Sequence, residues 1–278
     1  MVFADLNLAR RLERAEGYAC RAFAEARARL DPASGSTWME CAGAYAVFDG
    51  VDSPVTQSFG LGIFEEPTPD SIGQIERFFL ERGAAVMHEV CPLAGISTLD
   101  LLCDRGYRPI EISSVLYQSV AAAVGSSTAG HDAIAVRAIE PEEAPLWASV
   151  HARGWAHDHP EFRSFLENSG ALSAEREQSV CFLAELDGQP GAAGVLCLHQ
   201  GVALFGGAAT VPEMRRRGLQ AALLHSRMRY ALEQGCDLAM MVAEAGSQSQ
   251  RNAERTGFRV AYTRTKWRLQ KAQRHAPE

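Results

Sequence analysis

The sequence predicts an α/β (α+β) chain made of two similar units, each a mixed central sheet flanked by helices. Three observations predict it. Segments with helix and strand periodicity alternate along all 278 residues. A small, polar, glycine-bearing stretch over 119–133, "SVAAAVGSSTAGHDA", splits them into parts of similar length. The parts also end alike. "CDRGYRPIEISSVLYQS" and "ERTGFRVAYTRTKWRLQ" each read short helix, glycine, aromatic, arginine, strand, which suggests a duplicated unit. The expected boundaries are 1–120 for the first unit, 121–133 for a linker, 134–270 for the second unit and 271–278 for a tail.

The first part opens with a helix. Leu8, Leu12, Ala15, Ala19, Phe23, Ala26 and Leu30 recur at spacings of three and four, and Asp5 is placed to cap the helix start. The runs "TWMECAGAYAVF" and "TQSFGLGIF" are strand-like. A helix over "SIGQIERFFLERG", a strand over "AAVMHEV", a short helix ending at Gly106 and a strand over "YRPIEISSVLYQSV" complete the part.

The second part starts with the strand "AIAVRAI". The helix "PEEAPLWASVHARGWA" has proline in its first turn, where a missing N–H costs little. A further helix is expected over 160–174. Asp187-Gly188 in "SVCFLAELDGQPGAAGVLCLHQG" signals a hairpin between two strands. The strand "VALFGGAATV" leads to a helix running to Gly235, with Leu224, Met228, Ala231 and Leu232 as its apolar stripe. The strand "CDLAMMVAE", the short helix "GSQSQRNAERTG" and the strand "FRVAYTRTKWRLQ" close the chain.

At 47% hydrophobic and 22% charged, the composition is that of an ordinary globular protein. Asp and Glu outnumber Lys and Arg by 34 to 27, which argues against a nucleic-acid or anionic-membrane partner. The seven cysteines are odd in number and none forms a C-x-x-C pair. That favours a reducing cytoplasm over a disulfide framework. The start of the chain reads neither as a signal peptide nor as a membrane span.

One short stretch concentrates positive charge. In "TVPEMRRRGLQAALLHSRM", Pro212 ends a strand, Arg215, Arg216, Arg217 and Gly218 follow, and a helix begins at once. The first turn of a helix has unpaired N–H groups and partial positive charge. A glycine there lets a ligand approach the backbone, and arginines add charge beside the donors. Such a turn suits a pyrophosphate. A solvated basic helix start would share the arginines but not the strand–Pro–Arg-x-x-Gly–helix order.

On these residues the second part resembles the GNAT superfamily of acyl-CoA N-acyltransferases, whose signature is R/Q-x-x-G-x-G/A. Here it reads Arg215-x-x-Gly218-x-Gln220, with glutamine at the last position. The resemblance covers about 134–270. It implies N-acetyl transfer from acetyl-CoA, as co-substrate, to an amine of a small molecule or peptide, with no metal. It further implies that Arg216, Arg217, Gly218, Leu219, Gln220 and Ala221 hold the CoA pyrophosphate. Ala208, Ala209 and Thr210 would pair with the pantetheine arm, and Asn252 would touch that arm. A non-catalytic acyl-CoA sensor or interaction scaffold is the alternative.

The catalytic groups are harder to place. Gly206-Gly207 marks either a bulge that presents a main-chain N–H to an oxyanion, or close packing against a helix. In the family a glutamate on this strand and a tyrosine on the last short helix often serve as base and acid. Gly207 and Ala253 stand at those places here. Glu244, Ser249 and Tyr262 are the substitutes the sequence offers. The stretch "HARGWAHDHPEF", with His151, Trp155, His157, Asp158 and His159, falls in the region that helps form the acceptor pocket in this family.

The first part has no such motif. Its strand "SFGLGIF" is followed by Glu65, Glu66 and Asp70, which would repel pyrophosphate. It is expected to be a degenerate copy that walls off the acceptor pocket, supports the other half or forms a homodimer surface.

Overall fold

The computed structural model describes residues 3–125, 133–156, 166, 170 and 172–270. The first part contains α1 (Leu6–Leu30), β1 (Thr37–Cys41), β2 (Ala44–Phe48), β3 (Gln57–Phe59), α2 (Pro69–Leu80), β4 (Met87–Val90), α3 (Ile96–Asp104) and β5 (Tyr107–Ser119). A short helix, α4 (Val120–Gly125), follows. The second part contains β6 (Ile134–Ala138), α5 (Ala144–Ala156), β7 (Ser179–Leu186), β8 (Gln189–His199), β9 (Val202–Thr210), α6 (Leu219–Glu233), β10 (Leu238–Glu244), α7 (Gln248–Arg255) and β11 (Arg259–Leu269). The helix expected over 160–174 falls largely outside the described residues.

All eleven strands form one sheet, in the order β1-β2-β3-β4-β11-β5-β10-β9-β8-β7-β6. The two parts therefore share one layer and exchange their last strands. β11 lies between β4 and β5, and β5 lies between β11 and β10. The same pattern runs outward from this centre. β4 and β10 each pair antiparallel with the borrowed strand, and each pairs parallel with the strand beyond it. The β5–β11 ladder carries one extra residue on each strand, Ile110 on β5 and Ala261 on β11. These bulges lie the same distance apart in sequence as Gly106 and Gly257, so the duplication extends to backbone irregularities.

Several sequence expectations are refined. The run "TWMECAGAYAVF" is two strands, β1 and β2, closed by Ala42-Gly43. Asp187-Gly188 closes β7 onto β8 as expected. The first residues of the expected linker are helical, because Ala121, Ala122 and Ala123 are strong helix formers and Val120 is buried against the second part's core. Asp5 caps α1, accepting from the N–H of Leu8 at 2.9 Å. Every residue of the α1 stripe is buried except Leu30. On α6 the buried positions are Leu219, Leu223, Arg227, Met228 and Ala231, whereas Leu232 is exposed.

The centre of the sheet is held by charge. Glu13 on α1 is fully buried and accepts from the hydroxyl of Tyr262 at 2.8 Å and from Arg264 at 3.3 Å. Arg264 also grips Glu16 at 2.6 and 2.8 Å and lies 3.2 Å from Glu89. Burial pushes the Glu13 carboxyl up, and Arg264 opposes that. Removing one partner of such a buried set typically costs about 3–5 kcal/mol, because a desolvated charge is left behind. α1 reaches the second part as well, stacking Tyr18 on His199 and pairing Arg11 with Asp237.

Candidate acyl-CoA site

β9 and β10 run parallel but stay together only briefly. Their register covers Val202–Leu204 against Leu238–Met240. Beyond it β9 continues to Thr210 and β10 to Glu244 without pairing to each other. On its other side β9 keeps β8 as partner, so Ala208, Ala209 and Thr210 present an open main-chain edge towards β10. This notch sits beside the start of α6.

The α6 start is open in the way the sequence suggests. Gly218 is the N-cap, in the left-handed region at φ 89°, and no side chain caps the helix. Ala222 bonds to the Gly218 carbonyl at 3.0 Å. The N–H groups of Leu219, Gln220 and Ala221 precede it and have no acceptor within the helix. Arg216 is also left-handed, at φ 63°, and the side chains of Arg216 and Arg217 are exposed beside these donors. Leu219 is buried and anchors the turn in the core, while Gln220 and Ala221 face outward. Gln220 accepts from the Thr210 hydroxyl at 3.3 Å, linking the turn to the strand end.

Arg215 has a different task. It donates to the carbonyls of Thr210 at 3.3 Å and Gly154 at 3.1 Å, fastening the turn to β9 and α5. α5 comes this close because residue 154 is glycine. A Cβ there would lie 2.6 Å from that of Ala209.

Gly206-Gly207 is a bulge. Val195 pairs with Gly206 while Ala193 pairs with Ala209, and Gly207 has φ 52°. Arg227 braces it from the helix α6. Its guanidinium donates to the carbonyls of Val195 at 3.1 Å and Gly206 at 3.3 Å and lies 5.0 Å from the centre of the Phe205 ring. Burial lowers the pKa of this fully enclosed arginine to about 10.

The equivalent place in the first part is built differently. β3 and β4 pair at Ser58 and His88, but the chain after β3 turns inward and buries Leu61 and Ile63 completely. Thr68 and Ser71 form a capping box that satisfies the start of α2. Asp70 adds negative charge to that first turn.

A family model described as the acetyltransferase (GNAT) domain matches residues 127–245. Over these residues the second part is similar to a GNAT domain. Solved structures extend the likeness to the whole fold. A GCN5-related N-acetyltransferase from Kribbella flavida superposes with a TM-score of 0.63 at 16% identity, covering 91% of this chain and 97% of its own. A tandem GNAT protein from the clavulanic acid biosynthesis pathway superposes with a TM-score of 0.60 at 11% identity, covering 98% of each chain. A functionally unknown conserved protein from Staphylococcus epidermidis reaches 0.60 at 10% identity, covering 87% and 97%. Curated protein sequences give no match. The fold of the whole chain is thus the one seen in the tandem GNAT protein on which it superposes.

The second part gathers the expected cradle residues Ala208, Ala209, Thr210, Arg216, Arg217, Gly218, Leu219, Gln220 and Ala221 at one end of the notch. Asn252 lies exposed on α7 and accepts from Gln248 at 2.7 Å. The three catalytic candidates are scattered. Glu244 is exposed at the end of β10, and Ser249 is exposed in the first turn of α7. Tyr262 is buried on β11, with β5 and β10 between it and β9, and its hydroxyl is committed to Glu13. His157, Asp158 and His159 lie outside the described residues. Sequence reasoning missed Arg227 and Gly154 and gave His151 no role of its own. Arg227 occupies a core position of the α6 stripe, and that is the signal that marks it.

Proposed function

We propose that the chain transfers an acetyl group from acetyl-CoA to an amine of a small molecule or peptide, by direct attack of the amine on the thioester. The observation that carries this reading is the contrast between two helix starts. That of α6 is uncapped, glycine-led and flanked by arginines beside an open strand edge, while that of α2 is capped and acidic. In this reading the N–H groups after Gly218 bind the pyrophosphate and the edge of Ala208–Thr210 receives the pantetheine arm. Residues 134–270 form the catalytic unit. Residues 1–120 support it without binding a cofactor of their own.

Glycine at 207 and alanine at 253, at the places of the usual base and acid, favour a second reading as a non-catalytic acyl-CoA sensor. Calorimetry with acetyl-CoA and thiol release across an amine library separate the two. Binding with release supports the transferase, and binding without release across the library supports the sensor. Absence of binding contradicts both.

A further inference from the structure

His151 on α5 occupies the place that a side chain at 207 would take. A Cβ built on Gly207 would lie 3.0 Å from its Nε2. The imidazole stacks on Trp147, with centroids 4.7 Å apart and planes 15° from parallel, and Trp155 meets its edge. His151 is 5% exposed, and neither ring nitrogen has a hydrogen-bond partner of normal geometry. The Gly207 backbone is the polar group that reaches the ring, and its hydrogen-bonding influence favours the protonated form. Buried polar atoms in native proteins are nearly always satisfied, so a ring with no more than the Gly207 backbone beside its nitrogens points to a group that arrives with a ligand.

The surroundings also fix the charge state. Burial holds the His151 pKa down at about 4, so the ring is neutral near pH 7. The Gly207 backbone opposes that shift, and no charged side chain among the described residues contributes to it. Arg227 is already committed to the Val195 and Gly206 carbonyls. A neutral imidazole always carries one N–H, and an N–H of this kind can polarise a carbonyl without giving up its proton.

Resting on the acyl-CoA reading of the notch, we infer that His151 is a catalytic residue whose imidazole N–H donates to the thioester carbonyl oxygen at the Gly207 bulge. As the amine nitrogen bonds to the carbonyl carbon, the carbonyl π pair moves onto oxygen, where His151 stabilises it. Return of that pair breaks the C–S bond, and the proton lost by the amine ends on the departing thiolate. The products are an amide and a free thiol, and His151 ends as it began. Its ring thus supplies, from a helix, polar chemistry that the glycine at 207 cannot.

The test uses acetyl-CoA labelled with ¹³C at the carbonyl, bound to the full chain. The bound carbonyl resonance is expected downfield of the free value in the natural protein. His151→Phe keeps an aromatic ring on Trp147 but removes the N–H. It should return the resonance close to the free value while calorimetry shows affinity changed by less than about threefold. His151→Asn, which restores an N–H donor, should give an intermediate shift, and it carries the test if the Phe variant does not fold. The same resonance in the natural protein and in the variants overturns the role of His151. Failure of the natural protein to bind acetyl-CoA at all overturns the underlying reading instead, and the inference with it.

Discussion

Arg227 reaches through the core of the second part to donate to the carbonyl of Gly206 at 3.3 Å, so a helix side chain holds the bulge that shapes the notch. The cation has carbonyl oxygens as its hydrogen-bond partners, and a Cβ at Gly194 would lie 3.0 Å from it. Arg227→Ala removes the donor shared by the Val195 and Gly206 carbonyls and opens a cavity. It should destabilise the chain by about 2–4 kcal/mol and speed hydrogen exchange at Gly206–Ala208. Urea unfolding and exchange mass spectrometry measure both. Unchanged exchange at the bulge would show that the brace is dispensable.

Gly218→Asp should weaken acetyl-CoA binding by at least about 100-fold, because it places a carboxylate against the proposed pyrophosphate position. The left-handed backbone at φ 89° adds a folding cost of about 1 kcal/mol. Calorimetry and thermal unfolding on the same preparation separate the two effects. Retained affinity in a folded variant would contradict the cradle.

Glu65→Ala combined with Glu66→Ala should leave the stoichiometry at one CoA per chain. Removing charge does not reopen a helix start capped by Thr68 and Ser71, nor expel the buried Leu61 and Ile63. Native mass spectrometry with CoA reads the count directly, and two molecules per chain would refute that expectation.

Stability should fall on acidification from neutral pH. His88 bonds to the Ser58 hydroxyl at 2.6 Å, and burial holds both His88 and His151 at about 4, against 6.5 when unfolded. A depressed folded-state pKa gives a contribution that is complete above about 6.5 and lost as pH falls towards 4, because the unfolded chain then binds protons the folded chain does not. Each histidine accounts for about 2 kcal/mol by pH 5. Urea titrations at pH 7.5 and 5 should show His88→Gln losing about 2 kcal/mol less than the natural protein. Equal losses would place the acid sensitivity elsewhere.

Local features were legible in the sequence and long-range ones were not. Asp5, Asp187-Gly188 and Gly218 are read correctly because caps and turns depend on a few adjacent residues. The similar endings at Gly106 and Gly257 revealed the repeat. Nothing in either ending says which neighbour its strand will choose, so the exchange of β5 and β11 stayed hidden. Glu13, Arg227 and Arg264 defeat a rule that sends charge to the surface, because their partners are distant in sequence or are backbone carbonyls. His151 stood in view within a histidine-rich stretch. Only the bulge at Gly207, brought against α5 by the fold, sets it apart from its neighbours.

The swapped strands leave a mark on the protein's history. A half that has shed its own ligand would ordinarily be free to erode and vanish. Here each half contributes an interior rung to the other, so deleting the first would strand an unpaired edge in the middle of the second. Whichever half carries the chemistry, the exchange of strands ties the fate of each to that of the other.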